Sequence, residues 1–471
     1  MFQLNCIDSA MLSGYSRRSA CMSSVFFLEK DNSMDYVALM KKNITRNYRN
    51  TVIFDHILKE DLSKDKYPFL IKQKNPNIDE HFFCYETNNL DVDLKELIGS
   101  IINKEMDMSI PLWDIHYVES KEDQSQIAVI FRAHHSVVDG ESRTNNFKYL
   151  FDNNIAKKSI VSLLRYIGPS TFNANLIHIY KYLFWKTYKI YTKIRIAFLK
   201  PVYRQEYNNL YNKKWDSKLN TTKNIDFFNI KYDTVMTVMK KYNVDFQTLF
   251  IYLFSTAYRN LMQDLMNFDS DKAVDVQGKD AIAGVPLSMK SKRDHLYGSQ
   301  VYTMFCNIGL SVNDDMARLE AIKESLNSEK EFYNKSPVKL NLLAFTKSPY
   351  MKDLIKAWSY IQDSFWDGDK QQSIPLGTHR PFGIYINQTK TFNNEYILGN
   401  SKVDNFYSIP PLGKHDGTLG CGISVRSPRE SDNDILIGFI FFRDMIPSGH
   451  MFKDYMHDVL RELTNKVINN V

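Results

Sequence analysis

Residues 127–140 read IAVIFRAHHSVVDG. The first seven are short-range apolar and β-branched apart from Arg132, the composition of a buried strand. That strand runs directly into His134 and His135. Neighbouring side chains on an extended chain face opposite ways, so one imidazole points forward and the other back. A histidine titrates near neutrality, so the forward ring can take a proton from a hydroxyl or an amine. Asp139 can hold the turn through a local bond or an arginine partner. Gly140 gives the backbone the freedom to leave the turn. Two other readings use the same residues: metal ligands, or structural loop residues. Against a metal site, Asp139 is the only other ligand type close by and no HExxH pattern is present.

The surrounding chain mixes strands and helices. Residues 24–29 (SVFFLE) read as a strand, and residues 91–104 place Leu94, Leu97, Ile98, Ile101 and Ile102 at helical spacing. A second half begins near residue 226. A buried helix is expected over 243–266, and a polar helix over 318–331. Strands are expected over 281–287, 301–310, 381–387, 418–426 and 435–442. A last helix over 450–468 carries the stripe Phe452, Met456, Val459, Leu460 and Leu463. Strands and helices in both halves with a long connection between them predict an α/β (α+β) protein of two lobes, with a mixed sheet in each. The expected division is 1–155, 156–225 and 226–471.

The middle piece differs in chemistry. Residues 153–205 hold ten Lys and Arg and no Asp or Glu, interleaved with Leu, Ile, Phe, Tyr and Trp. That suits a helix lying on an anionic membrane surface through 176–204. It equally suits a crossover helix whose long basic stems run along apolar surface. No stretch of 18 uncharged apolar residues is present, so no conventional membrane span is expected. The first residues lack the charged start and apolar stretch of a signal peptide.

Composition excludes other classes. With 44% hydrophobic and 24% charged residues, the chain is neither disordered nor low-complexity. A net charge of +6 spread over 471 residues does not imply nucleic acid, and no zinc, homeodomain or RNA-recognition pattern accompanies the basic stretch. Five scattered cysteines without CxxC spacing point away from a zinc ribbon and from a disulfide framework, towards a reducing compartment. The expected location is intracellular, cytoplasmic or peripheral on endoplasmic reticulum or lipid droplet membrane.

The HHxxxDG pattern of His134–Gly140 resembles the signature of the large CoA-dependent acyltransferase superfamily that includes chloramphenicol acetyltransferase. Further blocks resemble the wax ester synthase/diacylglycerol acyltransferase family in particular. Asp8-Ser9-Ala10-Met11 is similar to its opening, and residues 106–113 (MDMSIPLW) to its LDxxxPLW block. Residues 285–288 (VPLS) are similar to its VPVS strand, 382–403 to its NVPGP region and 435–447 to its closing strand. Two blocks depart from the pattern: Gly298-Ser299 stands where the family has GN, and Asn387-Gln388-Thr389-Lys390-Thr391 where it has NVPGP. The DFGWG block of plant BAHD enzymes is absent, which argues against that branch, and no adjacent carrier-protein module is expected, which argues against a peptide-synthetase condensation domain.

The resemblance implies a tunnel between the lobes, with acyl-CoA as co-substrate and no bound cofactor or metal. His135 would be the general base that activates a long-chain alcohol or diacylglycerol. Ser299 would stand as oxyanion donor. Asp139 would organise the loop. His134, Gly140 and Asn387 would lie about the substrate, His134 chiefly as a structural group. Two alternatives stay open: an acyl-CoA- or lipid-binding protein that has lost catalysis, motivated by the two departures, and an acyltransferase for a small alcohol, amine or sugar. Trp113 reads as core packing beneath the active-site strand.

Overall fold

In the computed structural model the expected strand at 127–133 runs Gln126–His134, one residue longer at each end. The structure describes residues 2–4, 12, 20–47, 51–59, 68–151, 222–268, 282–288, 301–335, 384–389, 396–412, 421–426, 433–442, 446 and 449–468. In chain order the first half holds β1 (Phe2–Gln3), β2 (Cys21–Glu29), α1 (Tyr36–Asn47), β3 (His56–Lys59), β4 (Phe69–Lys72), β5 (Phe82–Thr87), α2 (Leu90–Asn103), β6 (Trp113–Ser120), β7 (Gln126–His134) and α3 (Gly140–Asn146). The second half holds β8 (Lys223–Lys231), α4 (Tyr232–Tyr242), α5 (Phe246–Phe268), β9 (Ile282–Ser288), β10 (Val301–Asn307), α6 (Asp315–Lys335), β11 (Ile384–Thr389), β12 (Ile397–Leu398), β13 (Ser401–Ile409), β14 (Cys421–Arg426), β15 (Asp434–Phe442) and α7 (Gly449–Ile468).

Each lobe is built on a six-stranded mixed sheet. The first has the order β12-β13-β2-β7-β6-β5 and the second β10-β9-β11-β14-β15-β8. In the first, β5 and β6 run parallel and the other long pairs antiparallel. In the second, β11 runs parallel to both β9 and β14. A small sheet of order β1-β4-β3 lies beside the first. The alternation along β7 explains why its strand is apolar throughout: Ile127, Val129, Phe131 and Ala133 face one core, Ala128 and Ile130 the other. A strand covered on both faces loses the polar half of the usual alternation.

The second of those cores is shared by the lobes. Val25, Ala128 and Ile130 of the first sheet join α2, β8 and β15 in one apolar cluster. Leu94, Ile98, Ile101 and Ile102 give α2 its buried stripe, as the spacing predicted. α2 is also fastened to β8 by an ion pair from Lys95 to Asp226 and by Asn103, which accepts from Lys223 N–H at 3.0 Å and donates to Lys223 O at 2.9 Å.

Three sequence expectations change in detail. The helix expected from 243 begins at Phe246, because Asn243 adopts a left-handed conformation (φ 49°) and ends α4. Asp245 then accepts from Thr248 N–H at 2.8 Å as α5 starts. The strand expected over 301–310 stops at Asn307, two residues before Gly309 at φ +66°. The third concerns the division at 226. β12 and β13 follow 226 in sequence, yet β13 pairs with β2 in the first sheet. The second lobe thus lends strands to the first. Of the strands expected from 381 and 418, the described parts begin at Ile384 and Cys421.

β13 reaches the first sheet by pressing against the second. A Cβ at Gly438 of β15 would stand 2.1 Å from the carbonyl oxygen of Ser408, so only glycine fits beneath this crossing. Gly438→Ala forces a backbone shift rather than a rotamer change. We expect a loss of about 1–3 kcal/mol, read as a lower urea midpoint with an unchanged m-value.

Candidate active site

The motif sits where β7 ends. His134 N–H donates to Leu112 O at 3.0 Å, His135 N–H to Ala20 O at 2.7 Å, and Val137 N–H to His134 O at 3.1 Å. The turn is therefore hung between the residue before β6 and the residue before β2. The strand ends at His134 and His135 opens the turn, and the two histidines differ in burial. His134 is fully buried, and its Nδ1 accepts from Ser136 N–H at 3.1 Å and lies 2.7 Å from Ser136 Oγ. Acceptance at Nδ1 places the ring proton on Nε2. This interior position makes His134 a part of the turn rather than of a surface open to substrate. His135 is partly exposed.

Asp139 begins α3. Its Oδ1 accepts from Ser142 N–H at 2.8 Å and from Ser142 Oγ at 2.7 Å, while Ser142 Oγ accepts from Asp139 N–H at 2.9 Å. This reciprocal capping box satisfies two backbone donors at a helix start. Asp139 is thus the N-cap of α3. Gly140 is the first residue of α3.

Beneath the turn lies a buried polar cluster that sequence reading missed. Arg132, two residues before His134, donates from Nε to Asp114 Oδ1 at 2.9 Å and from Nη1 to Ile101 O and Lys104 O, both at 2.6 Å. It thereby closes the last carbonyls of α2, which a helix leaves without partners. His116 Nε2 lies 2.9 Å from Asp114 Oδ1, and its Nδ1 lies 3.2 Å from Tyr85 Oη. Burial raises the Asp114 carboxyl, but the hydrogen bonds of His116 and Arg132 outweigh it and hold the group down to about 2. The sequence signal was Asp114-x-His116 on one strand facing Arg132 on the next, visible only once their pairing is known.

A second missed residue is Arg143. It is fully buried and reaches from α3 to Ser23 O at 2.8 Å and to the Ser408 hydroxyl. Its sequence signal was the helical i,i+4 spacing from Asp139. The chain after α3 then docks on aromatics. Phe26 of β2 meets Phe147 and Phe151 edge-on, with centroids 4.8 and 4.9 Å away, and stacks on Phe406 of β13 at 4.9 Å. Trp113 is core, 1% exposed, stacked on His81 at 4.1 Å and paired in register with Ala133.

The other expected site residues fall differently. Asn387 lies on β11, in register with Ser424 of β14 in the second sheet. Ser299, the Asp8–Met11 block and residues 176–204 lie outside the described residues. Among the described residues, no cluster of three His, Cys, Asp or Glu is arranged to hold a metal, and no helix is long and apolar enough to cross a membrane.

Two lobes, each on a mixed sheet, with HHxxxDG at the end of a central strand, define a chloramphenicol acetyltransferase-like fold. Solved structures of that kind are similar to this chain along its length. One is the wax ester synthase/diacylglycerol acyltransferase from Marinobacter aquaeolei VT8, with a TM-score of 0.62 and 16% identity over 99% of each chain. Another is the first condensation domain of the calcium-dependent antibiotic synthetase, at 0.58 and 10%, covering 99% of this chain and 96% of that one. The condensation domain of the Monacolin K polyketide synthase MokA gives 0.54 and 11%, over 99% and 97%. Residues 14–170, which contain the motif, match the family model described as wax ester synthase/diacylglycerol acyltransferase catalytic domain. The family resemblance read from the motif blocks is thus found over that stretch. It supports acyltransferase chemistry.

Asp114 gives a pH-dependent prediction. Its folded pKa of about 2 is depressed from 3.8, so its contribution is full above the unfolded value and is lost as pH falls towards 2. Asp114→Asn leaves Arg132 buried without its counter-charge and costs about 3–5 kcal/mol at neutral pH. In denaturant titrations the gap between the two proteins should narrow steadily below about pH 4.

Proposed function

We propose that this protein is an O-acyltransferase that moves a fatty acyl group from acyl-CoA to a long-chain alcohol or a diacylglycerol, with His135 as general base. The observation that carries the reading is the division of labour between the two histidines. His134 is sealed inside and holds the turn, while His135, whose backbone N–H is held by the Ala20 carbonyl, is a partly exposed residue with its Nδ1 turned inward.

In this mechanism His135 takes the hydroxyl proton as the alcohol oxygen attacks the thioester carbonyl. The tetrahedral intermediate collapses, the carbon–sulfur bond breaks, and the imidazolium returns its proton to the leaving CoA sulfur. Ester and free CoA result, and no acyl-enzyme forms. Holding thioester and alcohol side by side in a tunnel between the lobes supplies much of the rate. Ser299 is assigned the oxyanion, by a side-chain or backbone donor at the position where the family has Asn. Asn387 is retained as a substrate-binding residue. The basic aromatic stretch 176–204 is assigned to an anionic membrane surface, where apolar substrates collect.

The test is release of CoA from acyl-CoA with long-chain alcohols, diacylglycerol and short polar alcohols or amines offered in parallel. His135→Ala should lower the rate about 10²–10⁴-fold. An undiminished rate in that variant overturns the mechanism. Preference for the short acceptors would move the reading to the small-substrate class. Acyl-CoA binding without turnover on any acceptor would make the chain a binding protein on this fold.

A second measurement addresses the membrane. The protein should sediment with vesicles containing phosphatidylserine, less so at high salt, and less when Lys186, Lys189 and Lys193 are neutralised together. Solubility independent of salt, without binding to the vesicles, would assign 176–204 to a crossover helix instead.

A further inference from the structure

The turn that carries His135 is held at both ends by one strand. At its start His135 N–H donates to Ala20 O at 2.7 Å. At its far end Arg143 Nη1 donates to Ser23 O at 2.8 Å. Ala20 and Ser23 are only three positions apart at the entry of β2, so residues 135–143 form a loop closed upon that strand. Between the two attachments the Asp139–Ser142 capping box keeps the start of α3 rigid.

Arg143 also reaches out of the first lobe's own sequence. Its other amino group donates to the hydroxyl of Ser408 on β13. Ser408 is the residue whose carbonyl oxygen occupies the space above Gly438 of the second sheet. A continuous path of contacts thus joins the second sheet to the motif: Gly438, the Ser408 backbone, the Ser408 hydroxyl, Arg143, and the helix capped by Asp139.

Simple packing does not account for this arginine. It is wholly buried, and burial pushes its guanidinium down to about 9 against the opposing fields of Asp139 and Tyr396. Its guanidinium donates to the Ser23 carbonyl and the Ser408 hydroxyl, and its buried Nε has no hydrogen-bond partner. Buried charges of this kind are often matched or exceeded in stability by apolar residues of similar volume. The arrangement fixes geometry at a cost in stability.

We propose that Arg143 is a positioning residue for His135, which fixes the base relative to the second lobe through Ser408. This rests on the assignment of His135 as base. Arg143 touches no reacting atom. It acts by closing the loop on β2 and by joining that loop to the strand that crosses between the sheets.

The intact 471-residue chain carries the test in three variants: Arg143→Lys, Ser408→Ala, and the two combined. For Arg143→Lys and Ser408→Ala we expect kcat for CoA release to fall about 10–100-fold, the scale of a misplacement on the order of 1 Å. KM for acyl-CoA should stay within about twofold, because the substrate contacts are untouched. The combined variant should lose little more than the worse single one, as expected for two members of one contact. A readout independent of turnover is the rate at which diethyl pyrocarbonate modifies His135, isolated by subtracting the same measurement on a His135→Ala counterpart. That rate should change in each variant. Ser408→Ala removes one acceptor and opens almost no space, so it keeps the test decisive if Arg143→Lys fails to fold. Activity that falls only in proportion to the folded fraction, with His135 modified at the unaltered rate, overturns the proposal. If the unaltered protein turns over no acyl-CoA, the functional assignment fails, and the modification rates still decide whether Arg143 places His135.

Discussion

The approach of β13 to β15 at Gly438 is the constraint on which the rest of the structure depends. A strand from the second half of the sequence must leave its neighbours, cross their sheet, and add to the edge of β2. It can do so only where the crossed strand has no side chain. Once there, it contributes Phe406 to the aromatic cluster behind the motif and Ser408 to the arginine that follows it. Tyr407 adds a further link, donating from its hydroxyl to Asn229 of β8. The lobes are thus joined by backbone contact, a shared apolar core and directed polar bonds. A seam built this way resists sliding more than an apolar contact alone, since hydrogen bonds fix direction and burial does not.

Behind the histidines the protein retains buried charge. Arg132 and Asp114 are paired and hydrogen-bonded at almost every valence, and the arginine finishes the C-terminus of α2. Such a pair adds little net stability relative to well-packed apolar residues. It does fix where α2 ends relative to β7, and α2 is the element that both lobes grip. The strand delivering His134 and His135 is thereby located against the shared core by charge and against β2 and β6 by its ladder. This is the support a base needs if its ring is to stay within a fraction of an ångström of a reacting oxygen.

Much of the fold was legible because the long elements are strongly patterned. β7, α2, β15 and α7 follow from apolar runs or helical stripes, and their bounds shift by only a residue or two in the structure. β5, β6, α1, β8 and β13 were not read as elements. In β6, Asp114 and His116 interrupt the apolar face, and they are tolerated there only because Arg132 and Tyr85 arrive from neighbouring strands. In β13, Ser401 to Asn405 is largely polar, and Lys402 to Asn405 are exposed or half-buried before the strand is buried continuously from Phe406 to Ile409. Pattern reading works on one chain segment at a time, and these segments take their environment from distant ones.

From its residues alone the chain determined the motif and its local frame: two histidines at a strand's end, an aspartate and glycine to make the turn, and block order resembling one acyltransferase family. Local forces suffice for these, because pleat, capping and turn geometry depend on residues a few positions apart. Which histidine is sealed in the core, which arginine holds the loop, and which strand completes the first sheet were decided by tertiary structure. Each depends on a partner more than a hundred positions away, Ala20 and Ser23 on one side and Ser408 on the other, and no periodicity encodes a meeting over that distance.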